Sequence, residues 1–132
     1  MKIEHIGIAV KDLGISNELF EKLLGKPAYK EESVASEGVK TSFFEIGESK
    51  IELVGSEKND SAIEKYLEKN REGIHHLAFG VENLEEEILR LKNQGFIFIN
   101  ETPKIGADNK KVVFLHPKST NGVLVELCAD IK

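Results

Sequence analysis

The chain has 132 residues, of which 40% are hydrophobic and 31% charged, and this composition suits one soluble globular domain with its own core. A net charge of −5 argues against a nucleic-acid partner, because phosphate contacts need clustered lysine and arginine. Cys128 is the only cysteine, which excludes an internal disulfide and a zinc site built on cysteine pairs and favours the reducing cytoplasm. No apolar run approaches the ~20 residues of a membrane span, so we expect no membrane contact.

The first half of the chain predicts a strand, a helix and three further strands. Residues 2–10 are rich in isoleucine and valine and predict the first strand. Asp12 is suited to cap a helix that runs to about Leu24 and stops at Gly25. We expect the helix face around Leu19 to belong to the core. The following strands are predicted at residues 29–34, 39–46 and 50–54.

A connecting helix and a second set of elements follow in the same order. Ser61 and Glu64 form a capping-box pair and predict a helix that ends near Asn70. Asn83 opens another helix, in which "LEEEILRLK" is expected to be a solvated surface and the face around Leu89 to be core. "TPKIGADNK" is predicted as a loop, and strands are predicted at residues 74–81, 96–100, 111–116 and 123–127.

The two halves form an internal repeat. Aligning "HIGIAV" with "HLAFGV" places His5 on His76, whereas the additional His75 falls on Glu4. Each strand then has one face of bulky apolar side chains and another with the histidine followed by the smallest residues. The bulky face can pack under the helix of its own module, and the small face leaves room for something else. We expect His75 to lie on the apolar face, near the start of its strand.

The last strands of the two halves match as well. "KIELV" aligned with "LVELC" pairs Glu52 with Glu126, each between apolar neighbours that face the other way. A single glutamate in such a place is usually solvent-exposed, but two His–Glu pairs in register across a repeat favour a shared function. Two imidazoles and two carboxylates suit Co²⁺, Ni²⁺, Mn²⁺, Fe²⁺ or Zn²⁺, and the donor set does not select among them. The repeat therefore predicts a metal site at His5, Glu52, His76 and Glu126.

Four segments, "HIGIAVKDL", "DSAIEKYLEKN", "GIHHLAFGV" and "PKIGADNKKVVFLHPKSTNGVLVELC", resemble the vicinal-oxygen-chelate superfamily and, within it, the methylmalonyl-CoA epimerases. The resemblance covers nearly the whole chain. It implies an α+β fold in which two βαβββ modules form curved mixed sheets around a metal site, the glyoxalase/bleomycin-resistance-like fold. Residues 1–132 are expected to form a single domain, with module one at about 1–58, the connecting helix at about 60–70 and module two at about 73–132.

The same resemblance implies an isomerase of propionate metabolism. Such an enzyme interconverts (2R)- and (2S)-methylmalonyl-CoA by proton abstraction at C2 through a metal-stabilised enolate. The implied ligands are the four that the repeat selects, holding one divalent ion per chain, with Co²⁺ favoured and Mn²⁺, Ni²⁺ or Zn²⁺ as alternatives. The implied partners are a CoA thioester substrate and a second copy of the chain in a homodimer.

Proton transfer at C2 needs at least one base. Glu126 is the first candidate, and Glu45 is a weaker one. The chain departs from the family pattern at two positions. Some epimerases carry glutamine in place of Glu52, so this residue is not expected to be an obligatory base. Thr41 stands where some members carry a glutamate proposed as a base, and threonine cannot serve as one.

The "HPKSTNG" turn resembles a substrate-adjacent loop of the family. Lys118 and Ser119 are candidates for contacts with the substrate carboxylate or CoA, and Lys104 for contacts with the CoA phosphates. His116 is expected to order the turn. Two alternatives stay open: a glyoxalase I-type lactoylglutathione lyase, which shares the His-Glu-His-Glu arrangement, and a non-catalytic small-molecule-binding protein of this fold. The intact ligand positions and the absence of tryptophan weigh against the latter.

Overall fold

Eight strands and three α-helices make up the computed structural model, which describes all residues from Met1 to Lys132. Their order confirms two βαβββ modules joined by a connecting helix. By their contacts, the residues divide into unit one, Met1–His5 with His76–Lys132, and unit two, Ile6–His75. The divisions fall inside strand β1 (Lys2–Ala9) and inside strand β5 (Gly73–Gly80), so both strands contribute to both units.

Unit two contains the elements predicted for the first half of the chain. The first helix begins at Asp12, whose side chain accepts a hydrogen bond from the Ile15 amide at 3.0 Å, and it ends at Gly25 with a φ of 79°. Glycine adopts this left-handed conformation without steric cost, which explains the stop. The unit's further elements are α1 (Leu13–Leu24), β2 (Lys30–Val34), β3 (Val39–Ile46), β4 (Ser49–Ser56) and α2 (Ala62–Lys69). Its strand order is β2-β3-β4-β1.

Helix α1 packs a different face on the sheet from the one predicted. Leu13, Phe20 and Leu24 pack against the buried cluster of Val10, Phe44 and Leu53. Leu19, predicted to be core, is 60% exposed, so that prediction is wrong. The helix carries two apolar rows, and the row that includes the bulky Phe20 faces the sheet. A second cluster lies under α2 and contains Ala9, Val39, Val54 and Ile63.

Unit one adds α3 (Leu84–Asn93), β6 (Lys104–Ile105), β7 (Lys110–Leu115) and β8 (Val125–Asp130). Its strand order is β1-β5-β8-β7-β6. Strands β5 and β8 run parallel, with Ala78 opposite Glu126, and β7 and β8 run antiparallel, with Phe114 opposite Glu126. Helix α3 buries Leu84, Ile88 and Leu91 in one hydrophobic cluster with residues of β7 and β8.

The strand predicted at residues 96–100 is wrong. Phe98 forms a single isolated bridge with Leu115, and Phe96 and Phe98 pack against the core under α3. The apolar run "FIFI" therefore supplies core contacts, and around the bridge it forms only two backbone hydrogen bonds: the Ile99 amide donates to the Phe114 carbonyl oxygen at 2.9 Å, and the His116 amide donates to the Ile97 carbonyl oxygen at 2.7 Å. The short strand β6 lies instead inside the segment predicted as a loop.

The outer surface of α3 is charged, as predicted, although Leu89 is 61% exposed and its assignment to the core is wrong. Lys111 donates hydrogen bonds to the Glu85 carboxylate at 3.0 Å. Hydrogen bonds from Arg90 lower the pKa of the half-buried Glu87 carboxyl. These are surface ion pairs, so "LEEEILRLK" is not an acidic site. None of the helices is long and apolar enough to cross a membrane.

Candidate metal centre

Three of the predicted ligands converge in unit one. His5 Nε2 lies 3.1 Å from His76 Nε2. Glu126 Oε1 lies 3.6 Å from His5 Nε2 and 3.4 Å from His76 Nε2. All three residues are buried, with exposures of 5%, 6% and 6%. Two ring nitrogens and a carboxylate oxygen this close together, away from water, form a site for a shared proton or a cation.

Strand register places the second-module donors on one face of the sheet. Side chains alternate along a strand, so His76 and Ala78 share a face of β5, while Phe79 packs on the opposite face against the core under α3. Ala78 is paired with Glu126 across the parallel ladder, which brings that carboxylate to the face of His76. Because Ala78 is small and fully buried, it leaves space beside the two donors.

The donors of unit one fit a divalent ion. Two ligands at right angles, each about 2.1 Å from a metal, stand about 3 Å apart. The separations among the His5, His76 and Glu126 donor atoms are 3.1, 3.4 and 3.6 Å. Mixed imidazole and carboxylate donors match Co²⁺, Mn²⁺, Ni²⁺ or Zn²⁺ chemistry. These residues could therefore hold a metal after small movements of their side chains.

Glu52 is placed in unit two, on β4, directly opposite Phe43 of β3. Only 7% of it is exposed, so the solvent-exposed interpretation of this glutamate is wrong. Carboxylates are almost never buried unless they are paired or bind a cation. The burial of Glu52 is therefore compatible with the ligand role that the repeat predicts for it.

Strand β3 carries Thr41, which stands where some family members have a glutamate, and the weaker base candidate Glu45. Thr41 is 2% exposed, and its hydroxyl donates to the Glu32 carbonyl oxygen at 3.4 Å. Glu45 is exposed and lies opposite Lys50 in the β3–β4 ladder, as a solvated strand residue would. Within unit two, His75 is half-buried and stands edge-on to Tyr66, with ring centroids 4.7 Å apart and planes at 86°.

The turn after β7 is ordered by His116, as predicted. His116 Nδ1 accepts a hydrogen bond from the Lys118 amide at 3.1 Å, and the Ser119 hydroxyl donates to the His116 carbonyl oxygen at 2.9 Å. Ser119 Oγ also accepts from the Ile97 amide at 3.3 Å. These hydrogen bonds hold the turn and do not join it to the donor atoms of the site. Lys104, on β6, and Lys118 are both exposed.

Two residues of the site were missed by the sequence analysis. Phe114 pairs with Glu126 in the β7–β8 ladder, and its ring stands 6.0 Å from the His76 ring at 83°. The alternation in "KVVFLH" was the signal, because it puts Phe114 on the face of the pairing glutamate. Glu4 is the other: its carboxylate Oε1 lies 3.2 Å from His5 Nδ1. Its signal was a charged residue inside an otherwise apolar strand.

Comparison with known proteins identifies the family. Residues 4–114 match the model of the Glyoxalase/Bleomycin resistance protein/Dioxygenase superfamily. The mitochondrial methylmalonyl-CoA epimerase of Dictyostelium discoideum is 40% identical over 127 residues, which cover 96% of this chain and 76% of that protein. The structure of a hypothetical protein from Bacillus halodurans has 43% identity and a TM-score of 0.95, over 99% of this chain and 95% of that one. A variant of the Streptomyces coelicolor methylmalonyl-CoA epimerase, in complex with 2-nitronate-propionyl-CoA, has 32% identity and a TM-score of 0.93, over 98% and 94%. The chain therefore belongs to this superfamily and, within it, to the methylmalonyl-CoA epimerases, which are isomerases.

Proposed function

We propose that this protein interconverts (2R)- and (2S)-methylmalonyl-CoA as a metal-dependent epimerase. The observation that carries the proposal is the convergence of His5 Nε2, His76 Nε2 and Glu126 Oε1 within 3.1 to 3.6 Å in a buried site. Family membership supplies the substrate class, since relatives that align over almost the full chain are named for this reaction. We also propose that residues 1–132 act as a single domain.

The ligand set we propose is His5, Glu52, His76 and Glu126. Glu52 is included in this set because it is the repeat equivalent of Glu126 and is buried. Co²⁺ is the favoured ion, and Mn²⁺, Ni²⁺ or Zn²⁺ would fit the same mixture of donors. A divalent ion held there would act as a Lewis acid towards negative charge that develops on the thioester oxygen.

The proton transfer itself falls to the protein. The C2 proton lies between a thioester and a carboxylate, and its removal leaves a planar carbon that can be reprotonated on either face. We propose that the Glu126 carboxylate takes this proton, because it is the only carboxylate among the three converging donors of unit one, His5, His76 and Glu126. Phe114 stands edge-on to His76, with ring centroids 6.0 Å apart, and so gives the proposed site an apolar neighbour.

Substrate binding is proposed for Lys104, Lys118 and Ser119. Both lysine side chains are exposed cations that can pair with the carboxylate or the phosphates of a CoA thioester. Ser119 has its hydroxyl held by the His116 carbonyl, so its position is set before a ligand arrives. Substitution of either lysine by alanine should raise KM more than it lowers kcat, and an unchanged KM would contradict the assignment.

The decisive experiment is proton–deuterium exchange at C2 of each methylmalonyl-CoA epimer in D₂O, with metal-stripped protein and after addition of Co²⁺. We expect metal-dependent exchange accompanied by loss of configuration. If the protein binds about one ion per chain but catalyses no exchange, the epimerase proposal fails. A glyoxalase I-type lyase would then be tested with the hemithioacetal of glutathione and methylglyoxal, since it uses the same donor types.

We further propose a cytoplasmic homodimer. The only cysteine, Cys128, is reduced and buried, as suits the cytoplasm. Helix α1 exposes an apolar row of Ile15, Leu19 and Leu23, which are 68%, 60% and 70% exposed. Contiguous exposed apolar surface of this kind commonly marks an association site. Sedimentation equilibrium showing a monomer at micromolar concentration would refute the dimer.

A further inference from the structure

We propose that Glu4 is a positioning residue that holds His5 in one tautomer and one orientation. The inference builds on the metal site proposed above, because it concerns how one of its ligands is presented. It assigns a role to a buried carboxylate that neither the repeat nor the ligand set uses. Glu4 is 3% exposed and His5 5% exposed, so their contact is shielded from water.

The hydrogen bond between the two residues determines the tautomer. Glu4 Oε1 lies 3.2 Å from His5 Nδ1. An ionised carboxylate can only accept hydrogen bonds, so with Glu4 ionised, as we propose, Nδ1 carries the proton and donates it. A neutral imidazole then has its lone pair on Nε2. That is the nitrogen that faces His76 Nε2 at 3.1 Å and Glu126 Oε1 at 3.6 Å. The lone pair that a cation needs is therefore directed into the donor group.

Orientation follows from the same contact. A ring bonded at Nδ1 cannot rotate about its Cβ–Cγ bond without breaking a buried hydrogen bond, which costs about 1–3 kcal/mol. Histidine ligands of metals generally donate their second ring N–H to a carboxylate or a carbonyl oxygen in this way. Glu4 lies on the far side of the ring from the donor group, so it acts through His5 and does not itself reach the ion.

The backbone around Glu4 provides room for it. A Cβ atom at Gly80 would stand 3.5 Å from Glu4 Cβ and 3.5 Å from two carbons of Lys2. These are ordinary van der Waals distances, so position 80 lies directly beside the Glu4 side chain and forms part of its surroundings.

A second interpretation of the same cluster is a separate metal site. Glu4, His5 and Cys128 each offer a donor atom, and these atoms lie within 4.8 Å of one another. Cys128 Sγ, however, donates to the Phe79 carbonyl oxygen at 3.6 Å, which requires the protonated thiol. A thiol is a poor metal ligand compared with the thiolate. The geometry thus favours a hydrogen-bonding role for Glu4.

The repeat offers a matched control. His75 occupies the position of Glu4 in the second module, directly before His76, and contacts Tyr66 on the other face of the strand. If Glu4 acts only because it is a neighbour of a ligand in sequence, His75 should matter equally. If it acts through the Nδ1 contact, His75 should not affect the affinity for metal.

The experiment compares the metal-free forms of the wild type and of the variants Glu4→Ala, Glu4→Gln and His75→Ala. Long-range ¹H–¹⁵N spectra at neutral pH report the tautomer of His5, assigned with a His5→Gln variant. Co²⁺ affinity is measured by competition with a chelator. We expect the Nδ1–H tautomer in the wild type and in Glu4→Gln, whose amide oxygen still accepts, and a mixture of tautomers in Glu4→Ala. Affinity should fall by about 10- to 100-fold in Glu4→Ala and remain unchanged in His75→Ala.

The outcomes separate this proposal from the proposed function. An unchanged His5 tautomer in a folded Glu4→Ala variant would overturn the positioning role, whether or not the protein binds metal. Two ions per chain, reduced to one by Cys128→Ala, would assign Glu4 to a second metal site and would also overturn it. If the wild type binds no ion while Glu4→Ala still alters the tautomer, the positioning role stands and the metal-dependent function fails.

Discussion

The two modules carry the same histidine and the same glutamate, yet they differ in what surrounds these residues. Before His5 stands Glu4, which is buried against the ring, whereas before His76 stands His75, which packs on Tyr66. The outer strands differ as well: β2 pairs with β3 over five residue pairs, whereas β6 pairs with β7 over two. The repeat is thus kept at the donor residues and lost at the edges. The part of the repeat that both modules keep is therefore the part that contains the proposed ligands.

The largest effect is expected from removing one of the two adjacent histidines of β5. His76→Ala should abolish metal-dependent exchange at C2, because it removes a donor that lies 3.1 Å from His5 Nε2 and 3.4 Å from Glu126 Oε1. His75→Ala should leave exchange within about two-fold, since its ring faces Tyr66. Exchange rates and bound Co²⁺ are measured on both variants. Equal losses of exchange in the two variants would show that the site depends on the whole of β5 and not on the face to which His76 points.

The next largest effect on the exchange rate should distinguish the two glutamates of the repeat, Glu52 and Glu126. Both amide variants, Glu52→Gln and Glu126→Gln, keep an oxygen that can bind a metal, but glutamine cannot take a proton. Glu126→Gln should therefore lower the exchange rate by about 10²- to 10⁴-fold, the range of a general base. Glu52→Gln should lower it by no more than about ten-fold.

Metal affinity is measured beside the rate in both variants, so that loss of the ion is not mistaken for loss of the base. Full turnover in a metal-loaded Glu126→Gln variant would remove this residue as the base. Similar losses of the exchange rate in both variants, with metal retained, would indicate that both glutamates take part in proton transfer.

Two leucines of helix α3 are expected to contribute differently to the free energy of unfolding. Leu84 is fully buried against the sheet of unit one, whereas Leu89 is 61% exposed. Leu84→Ala should reduce the free energy of unfolding by about 2–5 kcal/mol, as is usual for truncated core leucines. Leu89→Ala should change it by less than about 0.5 kcal/mol. Urea titration of the metal-free variants measures both, and a large loss in Leu89→Ala would indicate that its surface is covered in solution.

The sequence predicted those parts of the molecule in which a local pattern has only one structural solution. His5 and Glu126 were found because period-two alternation in a repeat puts them opposite an apolar face, and Asp12 because a cap needs only its own turn of helix. Leu19 was misplaced because α1 has two apolar rows and only the tertiary structure selects between them. The run around Phe98 was misplaced because apolar side chains can enter a core without a strand ladder. Phe114 and Glu4 carried only weak signals in the sequence, and their contacts with His76 and His5 were established by the structure.

The smallest effect concerns the helix caps of the two modules. Asp12 and Asn83 occupy equivalent positions, and each accepts a hydrogen bond from the amide three residues later at 3.0 Å. Replacing either by alanine should cost about 1 kcal/mol. The two costs should nevertheless differ. The first turn of α3 contains three glutamates, whereas that of α1 contains no acidic residue. Asp12 is therefore the only acidic residue in the cap and first turn of α1, although the Glu72 carboxylate accepts a hydrogen bond from the Lys11 amide just before it, at 2.6 Å.

Asp12→Ala should therefore cost a few tenths of a kcal/mol more than Asn83→Ala, because it removes a favourable charge–dipole interaction together with the hydrogen bond. Asp12→Asn separates the two contributions, since it keeps the acceptor and removes the charge. Its cost should fall to near zero in about 1 M salt, where the interaction is screened within about 3 Å. A cost that persists at high salt would mean that the Asp12 carboxylate acts through a contact other than the helix dipole.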